Sequence, residues 1–141
     1  MKILLAVDGS ECSLNAVRGL VSHVRWFSDK PELHVLHVHA PIPIALATGH
    51  ISREVLDAHY REEGEAALRP AEDILRQAGL PFVRHLHVGE AASVIVKLAG
   101  ELGCELICMG THGRGSVAAV LLGSVAAKVL RLSPVPVLLT R

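Results

Sequence analysis

The chain has 141 residues, half of them hydrophobic and only 3% aromatic, which bounds it to one domain, residues 1–141, with a core of Val, Leu, Ile and Ala. Its 14 Lys and Arg balance 14 Asp and Glu, so there is no basic footprint for nucleic acid and no basic amphipathic arm for a membrane surface.

Residues 2–7 are a continuous apolar run, the pattern of a strand buried on both faces of a parallel sheet. The run stops at Asp8, too short for a signal peptide or a membrane span, and a cytoplasmic location is expected. Asp8-Gly9-Ser10 follows at the carboxyl end of the strand, where open α/β sheets bind ligands. Asp8 is therefore either a carboxylate for ribose hydroxyls or adenine, or a helix cap in competition with Ser10. Residues 12–27 space Leu14, Val17, Leu20, Val21 and Val24 on one helical face. Residues 32–38 read as a second strand, which puts Val38 and His39 at the mouth of the same crevice as Asp8. Pro41 and Pro43 then turn the chain into a loop running to about residue 51.

Residues 52–78 form a long charged helix. Gly64 and Pro70 lie inside it, and Pro70 makes a break near Arg69 plausible. Gly79-Leu80-Pro81 is its stop signal. Residues 82–88 alternate enough to suggest a strand nearer the sheet edge. Glu90 leads into a helix burying Val94, Ile95, Leu98, Ala99 and Leu102, closed by Gly103. Residues 106–109 are a fourth apolar strand. A helix starts at Gly123-Ser124 and runs to about Arg131, and residues 135–140 are a last strand. Pro136 inside that strand implies a sheet edge, since proline cannot donate to a ladder. The alternation of strands and helices predicts a parallel five-stranded α/β sheet with right-handed crossovers. The three cysteines, Cys12, Cys104 and Cys108, are odd in number and lack Cys-x2-Cys spacing, so neither a disulfide framework nor a zinc knuckle is expected. Cys104 and Cys108 are read as buried hydrophobes flanking the fourth strand.

The most informative stretch joins the fourth strand to the last helix. A strand that breaks at Gly110, passes Gly113 and Gly115 and restarts as a helix at Gly123-Ser124 suits phosphate. Glycines let the backbone turn its N–H groups inward, and a helix N-terminus adds unpaired donors with a partial positive charge. A structural strand-to-helix turn that binds nothing is the alternative. The spacing G-x2-G-x9-G-[ST], with Met109, Thr111, His112 and Arg114 around it, resembles the ATP-binding branch of the universal stress protein family. The likeness extends over the whole chain, including the Val-Asp-Gly-Ser end of the first strand.

That resemblance implies a Rossmann-like sheet ordered 3-2-1-4-5, which would set Asp8 and the Gly110 loop across one crevice. It implies an adenosine site in which backbone groups of Ala6, Val7 and Val38 read the adenine edge and Asp8 meets the ribose or base. Met109 and Gly110 would lie beside ribose and base. Gly113, Gly123, Ser124 and Val125 would hold phosphates, with Arg114 either neutralising them or pointing into water. ATP with Mg²⁺ is the expected ligand, since polyphosphate carries high charge. A homodimer through the C-terminal edge strand is expected as well.

Other chemistries find little support. Gly113-x-Gly115-x-x-Ala118 fits a loose dinucleotide fingerprint but follows the fourth strand and lacks the acidic residue about 20 positions on. No P-loop, kinase set or Gly-x-Ser-x-Gly elbow is present, and Ser124 has no recognisable base. Catalysis by His112 is a minor alternative. His37 and His39 share a strand face, as do His85 and His87, and two such pairs on neighbouring strands could make a transition-metal site, but no Cys or carboxylate is spaced to complete it. The sequence thus reads as a nucleotide-binding regulatory module, with no catalytic residue assigned. A slow ATPase or phosphotransferase, and an interaction module with an empty pocket, are the rivals.

Overall fold

The computed structural model describes residues 1–43, 51–113 and 122–141. Five strands form one sheet: β1 (Lys2–Ala6), β2 (Glu32–His39), β3 (Phe82–Val88), β4 (Leu106–Gly110) and β5 (Val137–Thr140). They are ordered β3-β2-β1-β4-β5, and every described pairing is parallel. The helices between them are α1 (Glu11–Ser22), α2 (Arg53–Gln77), α3 (Ala91–Leu102) and α4 (Ser124–Leu132). The predicted α/β class, strand order and central β1 are all present.

The period-2 alternation of β1 explains the two layers. Ile3, Leu5 and Val7 join Leu14, Val17 and Leu20 of α1 and Leu68, Ala71 and Leu75 of α2 in one core. Leu4 and Ala6 face the other way, onto Ala92, Ile95 and Leu98 of α3 and Ala126 and Val129 of α4. Strands covered on both sides become continuous apolar runs, the pattern seen in residues 2–7.

Besides shifts of a residue at several element ends, three features differ from the sequence expectation. The first helix stops at Ser22, and a 3-10 turn (Val24–Trp26) follows in place of its last turns. Only Leu14, Val17 and Leu20 of the predicted apolar face are buried; Trp26 is 76% exposed. Pro70 does not break α2, which is a single helix with the proline inside it. Proline in a helix costs about 3 kcal/mol, whereas full burial of a leucine side chain is worth roughly 1.5–3 kcal/mol. Leu68 and Leu75, both fully buried, offset that cost. Finally, β5 begins at Val137, so Pro136 precedes the strand; its carbonyl accepts from the Ile107 amide at 3.1 Å. β5 is nonetheless a sheet edge, as expected.

Helix ends follow their local chemistry. Ser10 and Ser52 cap α1 and α2 by accepting from Ser13 N and Val55 N, at 3.2 and 3.3 Å. Gly103 closes α3 at φ 67°, and the Cys104 amide reaches back to Ala99 O at 2.8 Å. Cys104 and Cys108 are buried. Cys108 lies within β4 and does not flank it, and burial pushes its thiol up to about 12.

Candidate functional site

A cavity of about 410 Å³ opens at the carboxyl ends of β1, β2 and β4, where the strand order reverses. Ala6, Val7 and Asp8 contribute from the end of β1, and Val38 from β2. Met109, Gly110 and Gly113 come from β4 and its loop, and Gly123, Ser124 and Val125 from the start of α4. These residues are brought together from segments more than a hundred positions apart. Arg114, with Gly115 and Ala118 of the loose dinucleotide match, lies outside the described residues.

The end of β1 is a tight turn built by its own sequence. Gly9 takes φ 78°, a conformation that suits glycine. Asp8 Oδ1 accepts from Ser10 N at 2.9 Å, and Asp8 N donates to Ser13 Oγ at 3.4 Å. Ser10 itself caps α1. Asp8 therefore orders the turn and does not serve as the helix cap, leaving its carboxylate on the cavity wall.

Each glycine of the motif sits where there is no room for a side chain, against backbone at Gly110 and Gly123 and against a carboxylate at Gly113. A Cβ on Gly110 would stand 2.9 Å from the Cys12 carbonyl carbon and Ser13 N. On Gly113 it would collide with Asp8 Oδ2. On Gly123 it would stand 3.1 Å from His112 Cα. Gly123 N also donates to Thr111 O at 2.7 Å, and Thr111 N to Thr140 O at 2.9 Å. These contacts seat the start of α4 beside the end of β4.

That helix start is one polar feature of the cavity. Among the described α-helices, α4 alone begins without a side-chain cap bond; Gly123 is its cap residue and Ser124 its first helical residue. Ser124 lies inside the helix, so its hydroxyl is not in the cap position. The first-turn amides carry partial positive charge toward the lining residues Ser124, Val125 and Ala126. The remaining walls are largely apolar, with Leu36, Ile95 and Met109. A flat apolar group and an anion would each find a matching wall.

Two backbone groups expected at the base are engaged within the protein. Val7 N donates to Leu36 O at 2.9 Å. The Val7 carbonyl accepts from His37 Nδ1 at 2.9 Å. His37 is buried and lines the cavity, a role that sequence reasoning missed. His112 also lines it, with Nδ1 3.0 Å from Thr111 Oγ1.

The two histidine pairs do not face each other. Leu36 pairs with His85 and Val38 with His87, so His85 and His87 lie on the sheet face opposite His37 and His39. His85 instead meets the buried His34 at 3.0 Å. Burial, with His34 and His87 adding to it, holds the His85 ring below the usual histidine range.

The sequence model described as the Universal stress protein family matches residues 1–141. Universal stress protein MJ0531 of Methanocaldococcus jannaschii is 29% identical over 99% of this chain and 81% of its own. Universal stress protein YxiE of Bacillus subtilis is 31% identical over 99% and 98%. Among solved structures, hypothetical protein MJ0577 superposes with a TM-score of 0.82 at 28% identity, over 99% of this chain and 94% of its own. A universal stress protein in complex with cAMP superposes at 0.70, with 27% identity over 100% and 97%. One from Archaeoglobus fulgidus in complex with dAMP does so at 0.67, with 25% identity over 100% and 98%. No described helix is long and apolar enough to cross a membrane.

Proposed function

This chain belongs to the universal stress protein family, and we propose that it binds an adenine nucleotide, ATP in preference to others, in the cavity at the ends of β1, β2 and β4. The observation that carries the proposal is the uncapped N-terminus of α4 opening on that cavity, beside Gly113 and Asp8. Unpaired first-turn amides are an anion site by geometry and by dipole. The related proteins solved with cAMP and dAMP carry adenine, a sugar and a phosphate, the same three chemistries for which the cavity has walls.

In this reading Ala6, Val7 and Val38 flank the base. Met109 and Gly110 pack beside base and sugar, and Asp8 accepts from sugar hydroxyls. Gly113, Gly123, Ser124 and Val125 hold the phosphates. Because the Val7 amide is committed to Leu36, its part is packing and, at most, its carbonyl. Mg²⁺, a hard cation, suits the oxygens of a polyphosphate. Magnesium there would neutralise polyphosphate charge. Bound nucleotide biases the loop between β4 and α4, and with it a partner surface. A homodimer through β5, where Leu138 is 42% exposed, belongs to the same regulatory proposal.

The test is calorimetric titration of nucleotide-stripped protein with Mg-ATP, AMP and GTP. Val125→Asp places a carboxylate in the first turn of α4. It favours the helix through the dipole and opposes phosphate by like charge. Binding of ATP in the micromolar range, about −8 kcal/mol, is expected, weakened at least tenfold by Val125→Asp and absent for GTP. No heat with either adenine nucleotide would refute the proposal.

A further inference from the structure

A second site lies at the rim of the cavity, where β2 ends under α2. His39 Nε2 stands 2.7 Å from Glu63 Oε2, and His59 Nε2 3.8 Å from Glu63 Oε1. One ligand atom from each of the three residues falls within 4.8 Å of the others. We propose that His39, His59 and Glu63 form a binding site for a divalent transition-metal ion of the zinc class.

Four features carry the assignment. The donor set, two imidazole nitrogens and a carboxylate, is that of many zinc sites with open positions. The size is right, because ligand atoms about 2 Å from a tetrahedral ion stand roughly 3.4 Å from one another. The observed 2.7 and 3.8 Å, which run to different oxygens of Glu63, straddle that value, and with one ligand atom per residue within 4.8 Å of the others side-chain rotation is what closes the site on an ion.

The third feature is the hydrogen bonding of His39. Its Nδ1 faces Ala40 O at 2.6 Å while its Nε2 faces the Glu63 carboxylate. Both partners are acceptors, and a neutral imidazole has one N–H to give. With the Nδ1 proton given to Ala40 O, Nε2 presents its lone pair toward the Glu63 carboxylate, and a cation fits between the two. An imidazole donating from Nδ1 to a backbone carbonyl and presenting its Nε2 lone pair is the arrangement found at metal-bound histidines.

The fourth is support. Tyr60 packs against the His39 ring, centroids 4.8 Å apart, and its hydroxyl accepts from Ile42 N at 2.8 Å. His59 and Glu63 are one helical turn apart on α2, so they project from the same face. His39 and Glu63 also line the cavity, and a metal held there would border on whatever occupies it.

The experiment uses the metal alone, so its failure leaves the nucleotide proposal standing. Metal-free protein is titrated with Zn²⁺ by calorimetry and with Co²⁺ by visible absorption. His59→Ala removes an exposed ligand that does not line the cavity, at a helical position alanine suits; its fold is checked by circular dichroism. His87→Ala, on the opposite sheet face, is the control for adventitious histidine binding. One Zn²⁺ per chain is expected, with affinity lowered about tenfold or more in His59→Ala and unchanged in His87→Ala. Cobalt should show the intense visible bands of a low-coordinate site, lost in His59→Ala. Equal zinc affinity in His59→Ala and the native chain would overturn the proposal. Loss of binding in His87→Ala alone would overturn it too.

Discussion

Replacing Gly113 with alanine should weaken nucleotide binding by acting on a different residue, Asp8. An added methyl at Gly113 would overlap Asp8 Oδ2. Asp8 can yield only at the expense of the bond its other oxygen makes to the Ser10 amide at 2.9 Å. The carboxylate must rotate away from the cavity. If it accepts one hydrogen bond from the sugar of the ligand, the loss is that of a charged hydrogen bond, about 1.5–3 kcal/mol, or roughly 10- to 150-fold in affinity. Calorimetry on four proteins tests this: native, Gly113→Ala, Asp8→Ala and the double variant. Once the carboxylate is gone the methyl has room, so the glycine change should cost less than about 0.5 kcal/mol further. Additive losses would refute the reasoning, and would mean that the added methyl obstructs the ligand itself rather than acting through Asp8.

Two other predictions concern stability. Gly110→Ala presses a methyl onto the backbone of Cys12 and Ser13 and should cost about 1–3 kcal/mol, a fall in melting temperature of roughly 3–10 °C; Gly100→Ala in α3, with nothing within 4 Å, should instead raise it slightly. Glu90 caps α3, taking hydrogen bonds from the Ser93 hydroxyl, from Lys128 at 3.0 Å and from the Ser93 amide, which hold its carboxyl down at about 2 against an ordinary 4.5. A depressed folded-state value stabilises the protein above pH 4.5, and the benefit is lost as pH falls through about 2. Urea midpoints of Glu90→Gln should therefore lie below the native ones at neutral pH and converge with them across that window.

Much of this molecule was legible locally. Apolar runs bounded by Gly, Pro and Asp marked the strands, because a strand covered on both faces must be apolar throughout. β3 matched its predicted residues 82–88, since turn signals fence it on both sides. The glycine spacing and the Asp8 turn were visible, and with them the stretch that lines the cavity. Proline was misleading in α2, where burial outweighed the missing hydrogen bond. The strand order came from family resemblance, for periodicity carries no information about which strand lies beside which.

The sequence alone determined the elements, the two-sided core and the residues that could meet an anion. The tertiary structure decided which chemical groups share a space. Alternation along β2 puts His37 and His39 on one face, but only the register Leu36 to His85 reveals that His85 and His87 lie on the other. The Glu63 carboxylate was then found for His39 by the crossing of α2 over β2. The reason for Gly110 likewise lies in Cys12, at the far end of the chain. Local periodicity follows from backbone geometry within a few residues. Register and close approach follow from packing between segments, and that is settled only when the whole core forms.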